Sequence, residues 1–144
     1  MIVKWPGKVQ ANTVTDHISA QWDLMATFAD ITGNKANADS NGISFLPTLL
    51  GQQENQQQHQ HLYWEFWEKG GRQAVRIGDW KGVRLKTRNN PEAPIELYNL
   101  ALDPAEQQDI AKEHPEVIEK IKLAMQDRVR SAKARWNLVV KESN

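Results

Sequence analysis

Apolar and polar residues alternate with a period of two along residues 61–86, and this stretch predicts three short strands. The two sets that alternate in the first strand are Leu62, Trp64 and Phe66, and Tyr63, Glu65 and Trp67. Such alternation is typical of a strand in a sheet. The pattern is interrupted at Lys69-Gly70-Gly71 and again at Gly78-Asp79, and both interruptions carry the glycine that suits a tight hairpin turn. We therefore expect an antiparallel meander.

Hydrophobicity suggests which face of this meander is buried. The apolar side chains expected on the covered face are Val75, Ile77, Val83 and Leu85. Arg76, Trp80 and Arg84 are then expected on the opposite face or at its rim, because successive side chains of a strand point to opposite sides.

A fourth strand and a long helix follow the meander. In residues 95–100, Ile95 and Leu97 face one way, and Glu96 and Tyr98 the other. Beyond Pro115, apolar residues recur at three- and four-residue steps, as in an amphipathic helix: Ile118, Ile121, Met125, Val129, Ala132 and Trp136. Neither a helix nor a sheet can bury its apolar face alone. The predicted fold class is α+β, a four-stranded antiparallel sheet packed by a long C-terminal helix.

A short helix is predicted between the fourth strand and the long helix. Asp103 is suited to be its N-cap, Pro104 its first residue, and Glu106 the partner that completes a capping box. We expect this helix to end near Glu113.

The first sixty residues predict a strand, a helix and a polar loop. Ile2–Trp5 is a short apolar strand ended by Pro6-Gly7. Ser19 can cap the helix that follows, and Gly33 lies where a left-handed C-terminal residue belongs. The residues expected on the apolar side of the helix are Trp22, Met25, Ala26, Ala29 and Ile31. Residues 52–60 are polar, of low complexity, and expected to form an exposed, mobile loop.

Composition excludes several classes of function. The 144 residues suit one domain, and 18 basic residues balance 18 acidic ones. No net field therefore draws the chain to nucleic acid or to an anionic membrane. The absence of cysteine excludes a disulfide framework, a thiolate zinc site and a cysteine nucleophile. No apolar run approaches the ~18 residues of a membrane span. A chain that opens on a strand without a nearby partner is expected to be a piece of something longer.

Two candidate chemistries are weak. His59 and His61 could bind a metal, but no third ligand lies near them in a glutamine-rich loop, so we favour a solvated loop. Glu65 and Glu68 could act as paired carboxylates, but within a strand they point to opposite faces. Catalysis there is not expected.

A stronger candidate is the meander itself, which mixes tryptophans with charged residues. Trp64, Trp67 and Trp80 could stack on a sugar beside polar partners, or could instead cover the sheet against the helix or a missing domain. Composition alone leaves these two interpretations open. The residues we predict to bind substrate are Trp64, Glu65, Arg72, Gln73, Arg76, Trp80 and Lys81.

An ordered series of short motifs resembles the C-terminal part of the type I sulfatases, the arylsulfatase-like branch of the alkaline-phosphatase superfamily. The series comprises Val3-Lys4-Trp5-Pro6-Gly7, Trp22-Asp23-Leu24-Met25 with Thr27 and Gly33, Asn41-Gly42-Ile43-Ser44-Phe45-Leu46-Pro47 with Leu50-Gly51, Tyr63-Trp64-Glu65-Phe66, Ala74-Val75-Arg76, Gly78-Asp79-Trp80-Lys81, Glu96-Leu97-Tyr98-Asn99-Leu100, and Asp103-Pro104 with Glu106. It spans nearly the whole chain. Ala26 departs from it, since the family often has proline there.

The resemblance implies a division of the chain. Residues 1–51 would be the terminal strand and helix of the α/β catalytic domain with a connection, 52–60 a polar linker loop, and 61–144 the C-terminal subdomain that commonly borders the substrate cleft. It also implies a formylglycine nucleophile and a calcium ion in the full-length parent. No cofactor and no catalytic residue is assigned within this chain, because its sequence has no Cys/Ser-x-Pro-x-Arg motif. By resemblance the parent would be periplasmic or extracellular.

The sequence is therefore interpreted as the C-terminal fragment of a sulfatase, acting on sulfated carbohydrate in the parent and inactive by itself. Its expected partners are the missing N-terminal catalytic domain and a sulfated sugar, with neither nucleic acid nor membrane. Unpartnered apolar surfaces also predict a homodimer or higher oligomer, or else a disordered N-terminal segment. The alternative is a stand-alone carbohydrate- or protein-binding module that uses the tryptophan-rich sheet.

Overall fold

The computed structural model describes residues 1–35 and 40–127. The chain divides into two compact units, the first comprising Met1–Gln60 and the second beginning at His61. No helix in the described ranges is long and apolar enough to cross a membrane.

The second unit contains the predicted four-stranded antiparallel sheet. Its strands are β1 (Leu62–Phe66), β2 (Arg72–Ile77), β3 (Trp80–Leu85) and β4 (Ile95–Asn99), and they lie side by side in chain order. This α+β architecture confirms the fold class predicted from the sequence. Each observed strand is as long as its predicted span or shorter, because residues beside a turn can lack the hydrogen bonds of the sheet.

The turn between β2 and β3 decides which residues share a face. Only Gly78 and Asp79 lie between the strands, so Ile77 pairs directly with Trp80. Directly paired residues point to the same side of a sheet. The register continues with Val75 opposite Gly82. Trp80 and Gly82 of β3 therefore lie on the same side of the sheet as Val75 and Ile77 of β2.

The predicted face of β3 was therefore wrong. Val83 and Leu85 lie on the face opposite Val75 and Ile77, whereas Trp80 and Arg84 share the face of Val75 and Ile77. A shift of one residue in register moves every side chain of a strand to the other side. Gly82 hides this register from a reading of hydrophobicity, because it occupies the central covered position without a side chain.

A helix covers one face of the sheet, as predicted. Helix α3 (Pro115–Gln126) packs against β2 and β3. The core that they enclose consists of Val75, Ile95, Leu97, Val117, Ile121, Ala124 and Met125. Three residues of the predicted apolar stripe, Val129, Ala132 and Trp136, lie outside the described residues. We call the other side of the sheet the outer face.

The short helix predicted from Asp103 does not form. A carboxylate oxygen of Asp103 accepts the backbone N–H groups of Gln107 and Gln108 at 2.7 and 2.9 Å, beyond the two positions that a helix N-cap contacts. Glu106 has a positive φ of 55°, which is incompatible with a right-handed helix. The segment that follows lies along β4, where the Ile110 N–H donates to the Leu97 carbonyl at 3.0 Å. The chain thereby covers the free edge of the sheet.

In the first unit, a buried aspartate organises the chain around helix α1 (Asp23–Ile31). The Asp23 carboxylate is 1% exposed, and it accepts the backbone N–H groups of Ala20 and Ile43 at 2.7 and 2.9 Å. Thr27, one turn later, donates to the Asp23 carbonyl and accepts the N–H of Phe45. These contacts join the helix to the chain on both sides of it. They lead into α2 (Leu46–Leu49), a single turn.

Two details of this helix differ from expectation. Ser19 makes no capping contact, and the residue at the N-cap is Trp22, without a side-chain cap. Met25 is exposed rather than buried, because the side that packs inward carries Asp23, Ala26 and Thr27. Gly33 has the predicted left-handed conformation, with φ of 70°.

The glutamine-rich loop is anchored by its side chains. It contains one 3₁₀ turn, Gln53–Asn55. The amide of Gln56 accepts from the Thr48 hydroxyl at 2.7 Å and donates to the Ser44 carbonyl at 2.9 Å. His59 contacts both carboxylate oxygens of Asp23, at 2.9 and 3.0 Å. The predicted exposure holds for seven of the nine residues from 52 to 60, whereas Gln56 and His59 are half-buried because their side chains satisfy buried polar partners.

Residues 2–5 form no strand among the described parts of the chain. Ile2 is almost fully exposed there. A strand forms only by backbone hydrogen bonding to a neighbouring strand. Residues 2–5 pair with no strand in the ranges 1–35 and 40–127.

Candidate functional site

The seven residues predicted to bind substrate are divided between the two faces of the sheet. The register places Trp64, Arg72, Arg76 and Lys81 on the outer face. It places Glu65, Gln73 and Trp80 on the face covered by α3. The structure therefore brings four of the seven to one surface and separates the other three from it.

The three residues on the covered face have structural contacts. Trp80 packs against the core and lies 4.8 Å from the ring of His114, centroid to centroid. Gln73 is buried and donates to the Glu65 carboxylate at 3.2 Å, and that carboxylate also accepts the hydroxyl of Tyr63. Their surroundings do not favour contact with a ligand.

Arg76 and Lys81 form the centre of the outer-face candidate. They are cross-strand partners on β2 and β3. The Arg76 Nε–H donates to the carbonyl of Gly78 at 2.9 Å, and Lys81 Nζ lies 2.5 Å from the carboxylate of Glu106. Both cations are thus oriented by neighbours. The terminal nitrogens of Arg76 have no hydrogen bond within the part of the chain that the structure describes, and they remain available to an anion.

Trp64 and Arg72 extend this surface along the strands. Trp64 pairs with Ala74, two residues before Arg76, and it is half-buried. Arg72 lies four residues before Arg76 on the same face, about 13 Å away at the rise of an extended strand.

Two residues of this surface were missed from the sequence. Tyr98 is the partner of Lys81 on β4, and its hydroxyl donates to Glu96 at 2.9 Å. Burial, and then the hydrogen bond to Glu96, raise the pKa of Tyr98 to about 12, so the phenol stays protonated at neutral pH. Glu106 reaches Lys81 only because the predicted helix is absent. Tyr98 could have been identified from the sequence, because Glu96 and Tyr98 alternate with the apolar residues of β4. No local signal indicates Glu106.

The first unit has an open pocket of about 290 Å³ beside the buried aspartate. Its lining residues are Thr15, Asp16, His17, Ile18, Thr48, Gln53, Gln56 and Gln58. Burial lowers the pKa of the His17 imidazole below its ordinary value of 6.5, although the charge of Asp23 opposes this shift. His17 is therefore neutral at pH 7 in the folded chain.

A calcium ion and a formylglycine do not fit these residues. The described ranges contain no group of three His, Asp or Glu side chains that could hold a metal ion. Both oxygens of Asp23 are already occupied by N–H donors, and the chain has no cysteine to convert.

The sequence of this chain matches one protein family and is similar to two sulfatases. Residues 1–135 match the family described as N-sulphoglucosamine sulphohydrolase, C-terminal. An N-acetylgalactosamine-6-O-sulfatase of Bacteroides thetaiotaomicron is 28% identical over 134 residues, which are 83% of this chain and 25% of that protein. A Delta 4,5-hexuronate-2-O-sulfatase of the same organism is 30% identical over 116 residues, or 75% of this chain and 23% of that protein.

The fold recurs in solved structures. A structure in complex with its substrate, D-glucosamine-2-N,6-O-disulfate, aligns with a TM-score of 0.70 at 21% identity, over 88% of this chain and 27% of that one. This chain spans about a quarter of the length of the curated relatives that it matches.

Proposed function

The chain belongs to the N-sulphoglucosamine sulphohydrolase C-terminal family, and from this premise we propose that it is the C-terminal part of a sulfuric ester hydrolase that acts on sulfated carbohydrate. The relatives named above are sulfatases of N-acetylgalactosamine and of a hexuronate, which supports a sulfated sugar as substrate. Calcium and formylglycine would belong to the remainder of the parent protein.

One geometric observation supports the role we assign to this chain. Arg76 and Lys81 are cross-strand partners on the outer face, with Trp64 two residues along the sheet. An anionic sugar offers sulfate or carboxylate oxygens to the cations and a ring face to the indole. Hydrogen bonds between ionised partners are about twice as strong as neutral ones. This surface would therefore help to select the sulfated group at the border of the cleft.

We predict that the 144-residue chain alone hydrolyses no sulfate ester. A sulfatase needs an activated nucleophile, and this sequence has neither a cysteine nor a Ser-x-Pro-x-Arg motif. Incubation with a chromogenic aryl sulfate and calcium should release no product above the rate without protein. Turnover that copurifies with the chain through successive columns would overturn this prediction.

Replacement of Arg76 tests the substrate-selecting surface in a full-length sulfatase that carries this chain. Arg76→Ala should raise KM for a sulfated oligosaccharide about 10- to 100-fold, since a lost charge-assisted hydrogen bond costs roughly 1.5–3 kcal/mol. A small aryl sulfate does not reach this surface, and its kinetic constants should be unchanged. Lys112→Ala, which removes an exposed cation outside the four strands, is the matched control. An equal loss on both substrates would indicate a folding defect, and no loss on either would make Arg76 structural.

A further inference from the structure

We infer that the end of the sheet at the β1–β2 turn is a second docking surface, which binds a further unit of a sulfated oligosaccharide. The inference rests on the proposed function and deepens it, because it assigns an extended polyanionic sugar chain, rather than a single sugar, as the ligand. We call this surface the turn patch. It consists of Phe66, Trp67, Lys69, Arg72, Leu85, Lys86 and Arg88.

The turn patch exposes large apolar side chains. Phe66 is 58% exposed and Trp67 is 41% exposed. Phe66 pairs with Arg72, which in turn pairs with Leu85, so these three side chains form one row across the outer face. Contiguous exposed aromatic residues usually mark an interaction site.

The same surface is strongly cationic. It carries Lys69, Arg72, Lys86 and Arg88, against a single nearby acidic residue, Glu68. None of these four cations has an ion-pair partner within residues 1–35 and 40–127. The chain as a whole has no net charge, so this local excess is specific to the turn. An apolar protein surface would leave the four charges uncompensated on docking. A polyanion compensates them, and this charge complementarity favours it as the occupant.

The aromatic and cationic groups are held in place before a ligand arrives. The Arg88 guanidinium lies 4.5 Å from the centre of the Trp67 ring, a cation–π contact. The Arg88 N–H donates to the Gly70 carbonyl at 3.0 Å, and the Thr87 N–H to the Gly71 carbonyl at 3.2 Å. A Cβ at Gly71 would lie 2.5 Å from the Thr87 hydroxyl, so only glycine allows this approach. A surface ordered in advance loses less entropy when it binds.

The chemistry of the turn patch matches a sulfated sugar chain. The exposed faces of Phe66 and Trp67 can stack on the apolar faces of pyranose rings, and the guanidinium groups can donate to sulfate oxygens. Arg72 lies about 13 Å from Arg76 along β2. An oligosaccharide that runs along the outer face spans this separation between the two Cα atoms and can contact both side chains. Affinity should therefore increase with chain length, since the second contact is made at a high effective concentration.

The experiment measures binding of chondroitin sulfate disaccharide and hexasaccharide to the 144-residue chain by calorimetry at low ionic strength. The hexasaccharide should bind about tenfold or more tightly than the disaccharide. The double variant Lys86→Gln/Arg88→Gln should remove that advantage and leave disaccharide affinity within about twofold. Lys112→Gln/Lys120→Gln removes two exposed charges elsewhere, and it should leave both affinities within about twofold.

The outcomes separate this inference from the proposed function. If Arg76→Ala weakens disaccharide binding but the turn-patch variant behaves like the lysine control, the proposed function stands and the inference fails. If the turn-patch variant loses the length advantage while Arg76→Ala changes nothing, the inference stands and the assigned role of Arg76 fails. Equal affinity for both lengths, or no binding of either, overturns the inference.

Light scattering tests the competing occupant, a second copy of the chain. A dimer that dissociates in the variant Phe66→Ser/Trp67→Ser would assign the turn patch to self-association and overturn the inference. The same oligomeric state in both proteins supports it.

Discussion

Replacing Asp23 by alanine should destabilise the first unit by about 3–5 kcal/mol, because each buried donor that loses its acceptor costs roughly 1–3 kcal/mol. The Asp23 carboxylate accepts hydrogen bonds from the N–H groups of Ala20 and Ile43 and contacts the ring of His59. Alanine leaves these donors without their acceptor, and each unsatisfied buried group carries its desolvation cost. Urea unfolding measures the total loss of unfolding free energy, and hydrogen exchange at the Ile43 amide measures the local loss of stability.

Asp30→Ala is the matched control for this substitution. Asp30 lies on the same helix and is exposed, and within the described ranges its carboxylate accepts one hydrogen bond, from the Ser44 hydroxyl at 2.7 Å. Its loss should cost less than about 1 kcal/mol, as for most exposed contacts. If Asp23→Ala cost no more than Asp30→Ala, Asp23 would not be the residue that joins the segments of this unit.

Replacing Ile121 by alanine should destabilise the second unit by about 2–5 kcal/mol, because it opens a cavity at the centre of the core. Ile121 is fully buried and lies directly over Gly82. A Cβ added at Gly82 would collide with the side chain of Ile121 and would lie 3.2 Å from Ile95. Gly82→Ala alone should therefore cost about 1–3 kcal/mol through overpacking.

The double variant makes this prediction specific. With Ile121 already reduced to alanine, Gly82→Ala should be neutral or stabilising, because its methyl group enters the space that the isoleucine has left. The two substitutions should thus couple by more than about 1 kcal/mol in urea unfolding. Leu123→Ala on the same helix removes a side chain that is 64% exposed and should cost less than about 0.5 kcal/mol. Additive effects of Ile121→Ala and Gly82→Ala would contradict the packing described here.

Local patterns predicted the elements of the sheet well. The Gly78-Asp79 turn, the alternation from Leu62 to Phe66 and the alternation in β4 each depend on residues close in the sequence. A hairpin of two residues and a period of two are local consequences of backbone geometry. The helix that covers the sheet was predicted for the same reason, since an amphipathic stripe is visible from Pro115 onward.

The candidate site was predicted only in part. Composition indicated the meander as the candidate, but it could not separate Trp80 from Arg76, because the faces follow from a register that Gly82 conceals. It also missed Phe66 and Arg88 of the turn patch. Arg88 lies beyond the predicted strand, and it reaches Trp67 only through the hydrogen bonds that connect its backbone to the turn.

The helix predicted at Asp103 shows why some local signals are overridden. Asp103 accepts two backbone N–H groups, but they are those of Gln107 and Gln108, and Glu106 contacts Lys81 instead of completing the predicted capping box. The free edge of β4, however, offers the carbonyl of Leu97 to Ile110, and Glu106 can reach Lys81. A short helix gains little from its own hydrogen bonds, so these tertiary contacts decide the conformation.

The sequence by itself therefore determined the order and type of the elements in the sheet, the balance of charge, the absence of a cysteine nucleophile and the resemblance to the sulfatases. These properties depend on composition and on neighbours along the chain. Only the tertiary structure decided which side chains share a face, that Asp23 and His59 anchor the glutamine-rich loop, and that the cations of the turn patch surround exposed aromatic rings. Each of these depends on contacts between residues distant in sequence, whose energies no local pattern contains.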